Sequence, residues 1–414
     1  MRGHGTSRSP ILDAESRQLE EGLLAHLQAA PAGFACLASS RAACYAVTDE
    51  RLAGLDARFE RLALDLFAYQ YERIPVYRAW CEAQGRRPAT TARAIDVPAL
   101  PVEALRDTRI ATFPSHHVCL TFETSGTTAA RPGVLHLDSL ALYDTSLERA
   151  FVHHVLPDRE SMRMLFLIPE VHEAPHSSLS YMMRRVRERF GGARSATCMQ
   201  RGRLDWQVAQ RTLIECARGA EPVCLLGTTF AYVQLLDACA ENDWSIELAR
   251  GSRVFETGGY KGRTRQLSRR ALYAGLERRL GIPPDHMVSE YGMTELGSQY
   301  YTLALRRSVL ATDTPPADRA DRDIWSAPHW LRAGIVHSGA GRCEPLPVAS
   351  APGLLTHHDL ANRSSVAHLL CADIGRPVGV TFALAGRAPR ADLRGCGLVA
   401  ERDAGIVADR KRTS

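Results

Sequence analysis

The chain has 414 residues, 45% of them hydrophobic and 23% charged, with a formal net charge of +5. That is enough apolar content for a large core in two or more subdomains, and scattered arginines interleaved with Asp and Glu exclude a nucleic-acid-binding protein. Met1–Pro10 has no apolar signal segment and no run of about 18 apolar residues occurs anywhere, so we expect no membrane span and a cytoplasmic location. The 11 cysteines stand singly, without a Cys-x-x-Cys pair, which predicts reduced thiols rather than a disulfide framework or structural zinc.

Residues 1 to about 110 read as helical, with amphipathic patterns over 14–29 and 49–84, and contain no motif that carries chemistry. The aromatic groups at Phe67–Tyr71 and Tyr77–Trp80 suit helix packing. Pro98, Pro101 and Pro114 punctuate an extended connector. An apolar run, Cys119–Glu123, then enters the turn Thr124-Ser125-Gly126-Thr127-Thr128. Consecutive amides in such a turn make a concave anion site, and hydroxyls add rotatable donors, so the turn suits a polyphosphate. The G-x-x-x-x-G-K-[ST] spacing is absent, and by itself the stretch suits a surface loop equally well. Arg131 follows, placed either to fork onto phosphate oxygens or to stand as an ordinary exposed arginine.

Val134–Leu137 reads as a short strand, residues 139–154 as a helix, and Met164–Ile168 as a buried parallel strand. His172-Glu173-Ala174-Pro175-His176 matches H-E-x-x-H, but Pro175 would break the helix that a zinc protease needs. The segment is therefore expected as a loop, with His172, His176 and Ser177 as candidate substrate contacts at a strand's carboxyl end. Three further apolar runs lead into turns: 222–226 into Gly227-Thr228-Thr229, 252–256 into Thr257-Gly258-Gly259-Tyr260, and 286–290 into Tyr291-Gly292-Met293-Thr294-Glu295. Read as three strand–turn–helix units, they predict an open α/β sheet with its loops along one edge, Thr228 and Thr229 facing the substrate. An aromatic beside glycines suits a purine, and Thr294 with Glu295 offers oxygen ligands to a hard cation such as Mg²⁺.

Taken in order, the Thr124–Thr128 turn, Tyr291-Gly292-Met293-Thr294-Glu295, Asp373 and Gly386-Arg387 resemble the core motifs of the adenylate-forming superfamily. More narrowly, Glu256–Arg263, Asp359-Leu360-Ala361-Asn362-Arg363, Ala372–Gly375 and Leu393-Arg394-Gly395-Cys396 resemble the acyl-protein synthetase (LuxE-like) branch, from about residue 95 to the end. The resemblance implies a superfamily large domain of mixed and parallel sheets flanked by helices over 96–387, after a helical region over 1–95 and before a tail over 388–414. It implies ATP and Mg²⁺, with Ser125, Gly126, Thr127 and Thr128 on the phosphates. Gly258, Gly259, Tyr260, Tyr291 and Gly292 would lie around adenine, Thr294 near the α-phosphate, Glu295 on the metal, and Asp373 and Arg387 on the ribose.

Two departures from the superfamily pattern stand out. Ala129-Ala130-Arg131 replaces the usual Gly and Lys after the hydroxyl loop, which shifts phosphate gripping towards Arg131. Only 414 − 387 = 27 residues follow Arg387, so the C-terminal domain that generally supplies a catalytic lysine is expected to be absent. In its place the resemblance implies Cys396 as acyl acceptor, a soft nucleophile beside a cation and between two glycines. The expected activity is ATP-dependent activation of a fatty or secondary-metabolite carboxylic acid to an acyl-adenylate. Transfer to the cysteine and on to an acceptor protein such as a reductase follows. A ligase using CoA or an amine, and a nucleotide-binding scaffold without catalysis, are the alternatives; the oligomeric state is left open.

Overall fold

A computed structural model of the chain describes residues 12–29, 49–124, 131–258, 267–310, 322–337, 343–346 and 348–388. The chain is an α/β protein. Three helices come first: α1 (Ala14–Leu27), capped by the Asp13 carboxylate on Ser16 N–H at 2.7 Å, α2 (Asp49–Arg73) and α3 (Pro75–Ala83). The single helix expected over 49–84 is broken at Ile74, because Pro75 cannot donate a helical hydrogen bond but suits a first turn. Next come β1 (Leu100–Pro101), α4 (Ala104–Asp107), the hairpin β2 (Leu120–Glu123) and β3 (Val134–Leu137), and α5 (Ala141–Val155).

The parallel half of the sheet alternates strands with helices: β4 (Arg163–Leu167), α6 (Ser178–Phe190), β5 (Ala196–Thr197), a small ribbon of β6 (Met199–Gln200) and β7 (Arg203–Leu204), α7 (Trp206–Arg218), β8 (Val223–Thr228), α8 (Thr229–Glu241), β9 (Arg253–Thr257), α9 (Arg269–Leu280) and β10 (Met287–Tyr291). The third expected strand–turn–helix unit is corrected here. After its turn, β10 is met by antiparallel β11 (Tyr300–Thr302), and α10 (Ala304–Leu310) comes only then. The Tyr300–Thr302 run is fully buried, and pairing with β10 on one side and β12 on the other gives its backbone partners. The chain continues through β12 (Trp325–Ser326), β13 (Leu331–Val336), β14 (Cys343–Pro345), β15 (Gly353–Asp359), β16 (His368–Val378) and β17 (Thr381–Arg387).

One large sheet runs in the order β14-β13-β15-β16-β17-β12-β11-β10-β9-β8-β4-β5, with β1 joining β16. It is parallel from β10 to β5 and antiparallel from β10 to β14, so β10 is a seam between two ways of pairing. One core packs α1–α3, α5, α6 and the antiparallel half together, and a second fills the space under α7, α8 and α9. The parallel strands are buried on both faces, which is why they read as apolar runs. No helix among the described residues is long and apolar enough to cross a membrane.

Candidate functional site

Where β10 ends, its loop faces a seam, and parallel strands direct their carboxyl-end loops to one side. The turn Tyr291–Glu295 is fixed by residues far away in sequence. Asn362 Nδ2 donates to the Glu295 carbonyl at 2.9 Å, and buried Asp359 accepts from Gly297 N–H at 2.8 Å and Ser298 Oγ at 2.6 Å. Burial pushes the Asp359 carboxyl up to about 6, against the pull of those donors. The Asp359–Arg363 motif therefore acts as a bracket. Its arginine reaches further: fully buried Arg363 pairs with Asp138 at 2.6 Å and Glu20 of α1 at 3.3 Å, and donates to Tyr69 Oη at 3.1 Å. Gln70 of α2 adds a hydrogen bond to the Asn362 carbonyl at 2.8 Å and accepts from Ala367 N–H at 3.0 Å. The N-terminal helices, in which the sequence showed no chemistry, thus hold the bracket.

Within this frame three separated motifs meet. Tyr291 Oη donates to Asp373 Oδ2 at 2.9 Å, and Arg387 Nε lies 3.3 Å from Asp373 Oδ1. Asp373 and Arg387 face each other across β16 and β17 beside a register shift, where a bulge re-aims side chains. Behind Tyr291, the Cys371 thiol lies 3.4 Å from His357 Nε2, and His357 Nδ1 is 2.8 Å from Tyr300 Oη. Glu295 is 4% exposed, and burial raises its carboxyl above the usual range while Arg106 and Arg387 pull it back. Its Oε1 stands 2.8 Å from where a Cβ on Gly133 would lie, so only glycine leaves the carboxylate its place there. Gly133 and Thr124 close the stem of the hydroxyl loop, with Thr124 N–H on the Gly133 carbonyl at 2.9 Å and Gly133 N–H on Thr124 Oγ1 at 2.8 Å. Glu295 is therefore set against the base of that loop.

The remaining candidates are placed as follows. Thr294 is half-buried in the turn; Gly258, Gly292 and Arg131 are exposed, Arg131 on the far stem of the loop. Ser177 and Thr228 cap α6 and α8, accepting from Ser180 N–H and Ala231 N–H, both at 3.2 Å. Thr229 Oγ1 donates to buried Glu256, which also accepts from Ser289 Oγ at 2.9 Å. Residues 171–177 are turns rather than a helix; His172 is exposed beside Glu170, and the His176 carbonyl accepts from Glu123 N–H at 2.9 Å. The hydroxyls expected to face substrate are thus engaged with the protein's own backbone and carboxylates. Ser125, Gly126, Thr127, Thr128, Gly259, Tyr260 and Cys396 lie outside the described residues.

Sequence reasoning missed Glu290 and Gln299, which flank the Tyr291 turn. Glu290 is buried, its Oε2 accepting from Thr257 Oγ1 at 2.5 Å, and burial with Glu256 nearby pushes it up to about 7. A charged residue inside an apolar strand pattern was the signal that could have found it.

A mixed α/β sheet whose strand-end loops carry a buried carboxylate and an aromatic–carboxylate–arginine group has the form of a ligand-binding α/β architecture. The chain belongs to the acyl-protein synthetase family, LuxE, whose model matches residues 48–305. No curated protein matches it. Among solved structures, McyG A-PCP complexed with phenylalanyl-adenylate is 16% identical with a TM-score of 0.44, over 65% of this chain and 47% of that one. Fatty acyl-adenylate ligase from L. pneumophila, in complex with acyl adenylate and pyrophosphate, is 14% identical with a TM-score of 0.43, over 70% and 53%. The acyl acid amido synthetase AtGH3.15 in complex with 2,4-DB is 11% identical with a TM-score of 0.45, over 82% and 70%. The chain spans about half the length of the first two.

Proposed function

We propose that this protein uses ATP to convert a carboxylic acid into an acyl-adenylate and pyrophosphate, and that Cys396 then takes the acyl group for delivery to an acceptor protein. Membership of the acyl-protein synthetase family supports the acyl chemistry. The observation that carries the reading is Glu295, a buried carboxylate that forms no ion pair among the described residues and lies against the stem of the hydroxyl loop. A carboxylate so placed calls for a cation, and a triphosphate in the loop would bring one.

Mg²⁺ fits this donor set. It keeps several waters and is held by one or two carboxylates plus substrate phosphates. Glu295 would hold it, and the charge of the departing pyrophosphate would be offset there. The protein's own groups do the rest. Tyr291, fixed through Asp373, offers a ring to the adenine, and Asp373 with Arg387 presents an acceptor and a fork of donors to the ribose hydroxyls. The loop's amides and hydroxyls, with Arg131, bind the phosphates. An oxygen of the acid's carboxylate attacks the α-phosphorus, and the bond to the β-phosphate oxygen breaks. The Cys396 thiolate next attacks the acyl carbon, the acyl–oxygen bond breaks, and AMP leaves with both electrons of that bond.

The test is pyrophosphate–ATP exchange with a panel of acids, joined to intact-protein mass spectrometry of wild type and Cys396→Ser. Acid-dependent exchange in both proteins, with a hydroxylamine-labile acyl mass on the wild type alone, is expected. Exchange without any acyl mass removes the cysteine step and leaves a ligase acting on a free acceptor. A chain that binds ATP but exchanges with no acid contradicts the adenylation step.

A further inference from the structure

The acid itself is addressed by groups that the adenylation chemistry leaves unused. Glu290 belongs to the face of the sheet opposite Glu256, since neighbouring residues of a strand point to opposite sides. Beside it on β11 stands Tyr301, its register partner, which is completely buried and feels the Glu290 charge. Tyr143, reaching in from α5, feels the same charge. Gln299 is 5% exposed, and among the described residues neither its Oε1 nor Tyr301 Oη has a hydrogen-bond partner. Gly292 ties these groups together: a Cβ built on it would collide with Glu290 Oε1 and sit 3.6 Å from Gln299 Cγ. Gly292 is itself exposed, so the Glu290 carboxylate lies directly beneath it with the Gln299 side chain alongside, two residues from Thr294.

Buried polar groups are ordinarily satisfied, and two buried acceptors with spare capacity on side chains beside the same glycine call for a donor. Glu290 finds no cation among the described residues; its one hydrogen bond there is from Thr257 Oγ1. An alkyl chain laid on this spot would leave Gln299 Oε1 without a partner and Glu290 with the Thr257 hydroxyl alone. An ammonium or amino group would satisfy both. Gly292 and Glu295 are three residues apart, no more than about 10 Å along an extended chain, so this spot lies near the carboxylate proposed to hold the metal. We infer that the acid activated by this protein carries an amino group, bound by the Glu290 carboxylate and the Gln299 amide oxygen. The inference rests on the adenylation reading of the same site.

The experiment pairs amino-bearing acids, aminoalkanoic and aminoaryl, with neutral isosteres in which a methyl replaces the amino group, and includes a straight-chain fatty acid. Each is measured twice on the full chain: by direct calorimetric binding without ATP, and by pyrophosphate exchange. The amino-bearing member of at least one pair is expected to bind and exchange at least about 100-fold better than its isostere, because a site built to bond a donor rejects the analogue lacking it. Glu290→Gln and Gln299→Met should each cut that ratio at least about tenfold. ATP binding certifies that the variants are folded, and if one fails to fold the other carries the test.

Discrimination by binding that depends on Glu290 or Gln299, with no exchange for any acid, keeps this inference and overturns the adenylation reading. Exchange with the fatty acid or the neutral isosteres equal to that with their amino partners overturns this inference and keeps the adenylation reading. Absence of both binding and exchange overturns both, and discrimination that survives both substitutions overturns the assignment to these residues.

Discussion

Two arginine–carboxylate groups illustrate two different uses of the same chemistry. Arg363, with no exposed side-chain surface, is clamped between Asp138 and Glu20 and joins α1 and the end of β3 to the bracket behind the Tyr291 turn. Arg387, with 70% of its side chain exposed, meets Asp373 at the open rim of β16 and β17. A buried pair is a structural tie, since neither partner can be solvated if the other goes. A rim pair is held loosely and can open to a ligand's hydroxyls at little cost. These two motif arginines therefore differ by burial: Arg363 ties the frame together, and Arg387 stands open at its rim.

The largest expected effect sharpens that division. Arg363→Met leaves Asp138 and Glu20 buried and unpaired, and should lower unfolding free energy by about 3–5 kcal/mol, read as a shift in urea midpoint. Next is a pH effect at the seam. Glu290, with Glu256, Thr257, Tyr301 and Tyr143 around it, has its carboxyl raised from 4.5 to about 7, so the folded protein keeps a proton that the unfolded chain releases. Its contribution is complete below pH 4.5 and is lost as pH rises through 7. Wild type should lose about 3 kcal/mol across that window at this site, and Glu290→Gln should flatten that part of the stability–pH curve.

Smaller effects belong to the rim. Asp373→Ala removes the acceptor for Tyr291 and the partner of Arg387, and should weaken ATP binding by about 2 kcal/mol in calorimetry, with little change in melting temperature. Arg387→Ala should change unfolding free energy by less than about 1 kcal/mol. A loss from Arg387→Ala as large as that from Arg363→Met would erase the distinction between tie and rim.

Much of the frame was legible beforehand. Strands were expected at 134–137, 164–168, 222–226, 252–256 and 286–290, and all five stand within two residues of those bounds, because an apolar run closed by Gly, Thr or Pro is a local signal. Pro175 kept H-E-x-x-H out of a helix for an equally local reason. Other features were not legible. The antiparallel return of β11 depends on long-range pairing with β10 and β12, and the work of Glu20, Tyr69 and Gln70 depends on Arg363 and Asn362, some 300 residues away. Periodicity reports which face of an element is apolar; it does not report what that face meets.

By itself, the sequence determined the α/β alternation, the order of the motifs and the family to which they belong, since these rest on residue type and spacing. Only the tertiary structure decided that Asp359 and Asn362 brace the turn, that Glu295 lies against the hydroxyl loop's stem, and that Glu290 and Gln299 share one spot beneath Gly292. The physical reason is burial. Whether a carboxylate is a surface charge, a structural tie or a group awaiting a ligand depends on the water removed from it and the partners brought to it, and both are set by distant parts of the chain.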